Sequence, residues 1–85
     1  MTIEDWRAKI DAIDKQLLEL LSQRAKYVLE VGKIKSERKI KVFDPERERQ
    51  IIETILRENT GPLDADGMRR IFERVIDECR RIEQS

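Results

Sequence analysis

The sequence predicts an all-α fold: one long helix, then two shorter ones, with two chains intertwined as a homodimer. Three observations carry this. At alternating steps of three and four, the first positions are Ile3, Trp6, Ile10, Ile13, Leu17, Leu20, Arg24, Tyr27, Val31, Ile34 and Arg38. Only Arg24 and Arg38 break that apolar seam, whose period is that of a long amphipathic helix packed in a bundle. The 85 residues include three Gly and two Pro, too few for a turn-rich β domain, and aromatic content is 5%. Finally, Asp44-Pro45 and Asn59-Thr60-Gly61-Pro62 divide the remainder into two further helical stretches.

The first helix is expected to start at Thr2, an N-cap with Asp5 three residues on as an imperfect capping box, and to run to about Arg38. No Pro interrupts it, so it is ~50 Å long. Gly32 inside it reads as a point of close helix–helix approach. Residues 36–43 lose the period and form a loop, with Lys39 and Lys41 complementing the helix dipole. Asp44 then caps a second helix with Pro45 at its first position. That helix carries Ile51, Ile52, Ile55 and Leu56 on one face. The third starts at Asp64, with a stripe of Met68, Ile71, Phe72, Val75, Ile76, Cys79 and Ile82.

Residues 1–85 make one small domain, near the size where one core gives marginal stability. The two short helices, folded back, cover one face of the long one and leave apolar surface exposed. Trp6, Ile10, Leu17, Leu18 and Leu21 spread over too wide an arc for one covering layer. A second copy is the economical cover.

Lysine and arginine number 18 against 18 acids, which argues against a nucleic-acid footprint. No apolar run suits a signal peptide or a membrane span, and a single cysteine, Cys79, suits a reducing cytoplasm. Without histidine and with one cysteine, the chain offers no soft-metal site, so zinc or redox-metal chemistry is not expected.

Arg24 is the informative misfit. A permanent charge inside an apolar seam is costly unless an anion meets it. Lys35 follows eleven residues later, within about 20° on the helix and ~16 Å along it. Arg47 and Glu48 precede Ile51 and Ile52 by four, and Glu83 follows Cys79 by four, so all three flank packing faces. Arg7 lies about 25 Å from Arg24 and ~100° around the helix, out of reach of the same ligand within one chain. An antiparallel pair of long helices would bring it beside its partner's cluster. Two readings stay open at this point. The charges form internal pairs, Arg24 with Glu48, Arg47 with Asp44 and Lys35 with Glu83, or they line a pocket for a dianion.

The run Trp6-Arg7-Ala8-Lys9-Ile10-Asp11-Ala12-Ile13-Asp14 is followed by Leu17-Leu18-Glu19-Leu20-Leu21-Ser22-Gln23-Arg24 and Glu30-Val31-Gly32-Lys33-Ile34-Lys35. With Phe43-Asp44-Pro45-Glu46-Arg47-Glu48-Arg49, these closely resemble the all-helical class of chorismate mutases. Asn59-Thr60-Gly61-Pro62-Leu63 and Ile71-Phe72 are similar to versions fused to prephenate dehydratase or to DAHP synthase, the first enzyme of the shikimate pathway. The resemblance covers nearly the whole chain.

It implies a Claisen rearrangement of chorismate to prephenate in phenylalanine and tyrosine biosynthesis, with no nucleophile, metal or cofactor. It further implies that Arg24 and the partner's Arg7 grip the two substrate carboxylates. Lys35 would touch a carboxylate and the ether oxygen, Arg47 would support the cationic wall, and Asp44 (through its backbone) and Glu48 would hold the ring hydroxyl. Cys79 falls where many relatives carry a small hydroxyl residue, and packing is its expected role. Glu83 would face the ether oxygen, and must carry a proton to donate a hydrogen bond there.

Two other functions compete. An isochorismate pyruvate lyase has a related fold and a cationic pocket, and a non-catalytic helical dimerisation or regulatory module would need no ligand. The sequence leaves open whether the chain is free-standing or part of a bifunctional protein, and whether aromatic amino acids regulate it.

Overall fold

The computed structural model describes residues 1–84 and contains three helices: α1 (Ile3–Glu37), α2 (Pro45–Glu58) and α3 (Ala65–Glu83). Ser85, the last residue of the expected domain, lies outside the described residues.

Each boundary has a local cause. At the start of α1 the Thr2 hydroxyl accepts from the Asp5 amide at 3.1 Å. The Asp5 carboxylate accepts from the Thr2 amide at 2.9 Å, so the capping box is complete. At the other end Arg38 is the C-cap, and Ile40 N–H reaches back to the Lys35 carbonyl at 2.8 Å. Lys39 N–H reaches Ser36 at 3.2 Å, and Lys39 itself takes the left-handed φ of 57°. This is a Schellman closure with lysine where glycine is usual.

Asp44 accepts from the Arg47 amide at 3.1 Å, and Pro45 opens α2. The α2–α3 junction turns at Gly61, φ 84°, next to a cis Gly61–Pro62 bond. Asn59 braces it by donating to the Leu63 carbonyl at 2.8 Å and accepting from Gly61 N–H at 3.2 Å. Asp64 caps α3 by accepting from Gly67 N–H at 2.7 Å.

Packing departs from the expectation that both short helices fold onto the long one. Among the described residues α3 packs against α1 and α2 packs against α3, and α2 makes no comparable contact with α1. Among the described residues α3 is the element that both of the others contact. Ile76 and Cys79, in the middle of its apolar stripe, are the buried apolar residues, at 6% and 8% exposure.

The particle is accordingly long and thin, 55 × 24 × 16 Å. Most of the α1 seam is uncovered by its own chain: Trp6, Ile10, Ile13, Leu17 and Leu20 are all exposed. Fully burying a large apolar side chain is worth about 1.5–3 kcal/mol, so a face of this extent is unfavourable in water. No described helix is long and apolar enough to cross a membrane.

Candidate active site

Where α3 crosses the C-terminal half of α1, a cavity of about 290 Å³ opens between all three helices. Its volume is near the lower end of small-molecule sites. From α1 come Arg24, Tyr27, Val28, Val31 and Lys35; the loop supplies Val42 and Asp44; α2 adds Arg47, Glu48 and Ile51; and α3 adds Ile76, Cys79, Arg80 and Glu83. The residues singled out from the sequence therefore converge, with one exception. Arg7 is an exposed residue near the far end of α1 and does not line the cavity.

Four cationic side chains line the wall (Arg24, Lys35, Arg47 and Arg80) against three acids (Asp44, Glu48 and Glu83). Their pairing decides between the two readings of the sequence. Of the internal pairs considered, only Lys35 with Glu83 forms. The Lys35 ammonium lies 3.1 Å from Glu83 Oε2, with the two side chains 18% and 10% exposed. It also donates to the Val42 carbonyl at 3.0 Å, which ties the loop to α1.

The Lys35–Glu83 contact lacks hydrogen-bond alignment, and Glu83 Oε2 is buried without any hydrogen bond. Close range thus supplies Coulomb attraction but leaves a lone pair unsatisfied, a costly state for a buried oxygen.

Arg24 does not pair with Glu48, nor the Arg47 guanidinium with Asp44, which uses its carboxylate on the Arg47 backbone amide instead. Neither guanidinium has an ion-pair or hydrogen-bond partner among the described residues. Arg24 is half-buried. Two unpaired guanidinium groups at one cavity make a surface that gains most from an anion with oxygens at two places.

Glu48 is occupied by a residue the sequence reading passed over. Arg80 Nη1 donates to Glu48 Oε2 at 2.5 Å, and Nη2 donates to Asp77 at 2.9 Å. The guanidinium carbon stands 5.1 Å from the centre of the Phe43 ring. Hydrogen bonding to Glu48 lifts the Arg80 pKa above the usual arginine range, against a smaller opposing effect of desolvation. One signal pointed to it: Arg80 follows Cys79 directly, at the edge of the apolar stripe, with Asp77 three residues before it.

Gly32 sets how closely α3 approaches. A Cβ there would stand 3.0 Å from Glu83 Cγ and 3.3 Å from the Glu83 carbonyl oxygen. The absent side chain is what lets Glu83 reach Lys35.

Residues 6–84 match the family described as chorismate mutase type II. The chain is 36% identical over 86 residues to a bifunctional chorismate mutase/prephenate dehydratase of Aquifex aeolicus, aligning 96% of itself with 24% of that protein. Its identity to the Pseudomonas aeruginosa bifunctional protein is 37% over 83 residues, 92% of this chain and 23% of the other. The chain thus spans about a quarter of the length of these curated relatives.

Among solved structures, Form II of the chorismate mutase from Thermus thermophilus superposes with TM-score 0.95 at 28% identity, covering 96% of this chain and 93% of that one. The Helicobacter pylori chorismate mutase in complex with prephenate gives TM-score 0.88 at 27% identity, covering 96% and 89%. With its three helices, its cationic cavity and a match over nearly its full length, the chain belongs to the type II chorismate mutase family.

Proposed function

We propose that this chain carries the activity of its family, the rearrangement of chorismate to prephenate, in a site completed by a second copy of itself. The observation that carries the reading is the pair of unpaired guanidinium groups, Arg24 and Arg47, at one cavity with Lys35. Chorismate has two carboxylates, and such groups recognise them by charge-assisted hydrogen bonds.

The reaction breaks one C–O bond as one C–C bond forms within the same molecule. No proton or electron leaves the substrate, so the protein's task is geometric and electrostatic. Arg24 grips one carboxylate and the partner's Arg7 the other, which holds the substrate in its compact conformer. Arg47 reinforces the positive potential. Lys35 turns from Glu83 toward a substrate carboxylate and the ether oxygen, where negative charge grows in the transition state.

Glu83 faces the same oxygen and offers it a hydrogen bond. Asp44 and Glu48 hold the ring hydroxyl. Cys79, buried at the back of the cavity, packs.

Three features support the need for a second copy. Tyr27, on the cavity wall, is still 70% exposed. The α1 seam is bare over its N-terminal half, and Arg7 sits beside Trp6 on that part of the helix. An antiparallel pair of α1 helices covers the seam and carries each Arg7 to the other chain's cavity. A reducing cytoplasm suits the lone thiol of Cys79.

The test is an assay of chorismate consumption beside a sizing column, with isochorismate offered in parallel. Prephenate formation by a dimer supports the reading. A monomer that binds neither compound, or release of pyruvate from isochorismate alone, overturns it.

A further inference from the structure

Glu48 has a prior commitment. One of its oxygens is taken by Arg80, whose other amino group is anchored on Asp77 of the same α3 turn and whose guanidinium carbon lies against the Phe43 ring. Phe43 directly precedes Asp44, the cap of α2. Arg80 therefore joins three parts of the structure around the cavity, namely α3, α2 and the loop.

This geometry has a chemical consequence. A glutamate among Arg24, Arg47 and Lys35 would be drawn toward those cations, where it would compete with an incoming carboxylate. Arg80 draws it the other way. With Oε2 engaged, Glu48 is left one oxygen to offer a hydroxyl donor, and three points of attachment fix where that oxygen stands. Arginine suits this because its planar fork serves two carboxylates at once, which an ammonium cannot do with the same geometry.

Resting on the reading that Glu48 meets the ring hydroxyl of chorismate, we propose that Arg80 is the positioning residue for Glu48 and so sets the enzyme's selectivity for a hydroxylated ring. Arg80 acts through Glu48 and touches no reacting atom.

The experiment compares kcat/KM for chorismate with that for an analogue lacking the ring hydroxyl. The proteins are the unsubstituted chain, Glu48→Ala, Arg80→Gln and Arg80→Lys, each checked for helicity and dimer formation. The unsubstituted enzyme prefers chorismate, and Glu48→Ala abolishes the preference. Arg80→Gln reduces it about tenfold, almost entirely through chorismate, while the analogue's kcat/KM stays within about threefold, as expected for one lost hydrogen-bonded contact.

Arg80→Lys keeps the charge without the fork and gives an intermediate preference. It carries the test by itself if Arg80→Gln does not fold. A purely structural Arg80 would lower both substrates equally and leave the preference intact, which overturns the proposal. If Glu48→Ala retains the preference, the hydroxyl reading of Glu48 falls and this inference falls with it. If Glu48→Ala loses the preference but both Arg80 variants keep it, only the role of Arg80 is wrong.

Discussion

At the scale of single residues, a charge with no partner is the most informative feature of the site. Arg24 is half-buried with no ion pair or hydrogen bond among the described residues, so nothing in the chain depends on its guanidinium for cohesion. Removing it should cost function and not fold. Arg24→Ala is expected to keep its melting temperature, or raise it slightly, while kcat/KM falls by about 10²–10³-fold, the loss of one charge-assisted pair to a substrate carboxylate. Thermal unfolding and steady-state kinetics on one preparation check both halves. A stable variant with full activity would show that Arg24 serves no ligand.

Glu83 gives the second residue-level prediction. In the proposed role it faces the ether oxygen and offers it a hydrogen bond, and glutamine keeps a donor there without a carboxylate. Glu83→Gln should therefore keep or raise kcat/KM, while Glu83→Ala should lower it by about 10²-fold; an equal loss in both variants, measured by steady-state kinetics, would refute the role. Arg24, Lys35 and Glu83 were legible in the sequence because helical periodicity assigns each a face. Arg80 was not. Its partner Glu48 is 32 residues away on another helix, a separation no local pattern encodes.

At the scale of elements, the ends of α1 and its crossing with α3 govern the site. Lys39 holds a left-handed conformation that closes α1 before the loop bearing Val42 and Asp44. For an L-residue this costs roughly 1 kcal/mol that glycine avoids. Lys39→Gly is therefore expected to stabilise the fold by about 0.5 kcal/mol after its greater unfolded-state entropy is counted, which raises the melting temperature by roughly 2–4 °C. A fall would contradict the strain. The sequence predicted the loop from lost periodicity but offered no glycine to mark its first turn.

Gly32 acts oppositely. Alanine would favour the helix by about 1 kcal/mol, yet its Cβ would stand 3.0 Å from Glu83 Cγ and 3.3 Å from backbone. Glu83 cannot yield freely, because its carboxylate is held 3.1 Å from Lys35. The last turn of α3 should move by a few tenths of an ångström. Gly32→Ala is expected to change stability by less than about 1 kcal/mol while activity drops about tenfold. Equal stability with undiminished activity would show that the crossing has slack. The sequence anticipated a close approach at Gly32, but not that its contact would be the Glu83 side chain.

At the scale of the whole molecule, the exposed seam of α1 is the dominant fact. The caps at Thr2, Asp44 and Asp64 and the break at 59–62 were readable because each is settled within a few residues. The order of packing was not, because α2 and α3 carry similar apolar faces and only their tertiary fit decides that α2 rests on α3. The seam's need for cover was readable from its length alone. A chain 55 Å long and 16 Å thick has no interior to bury it.

The central claim is that two chains share each site, with Arg7 reaching from one into the cavity of the other. Mixing Arg7→Ala with Lys35→Ala chains after verified subunit exchange tests it most directly. Each variant by itself has no intact site and should be nearly inactive. In an equal mixture half the dimers are mixed and each holds one intact site of two, so about one quarter of the unsubstituted activity should return. A mixture that stays as inactive as its parents despite complete exchange would contradict the shared site.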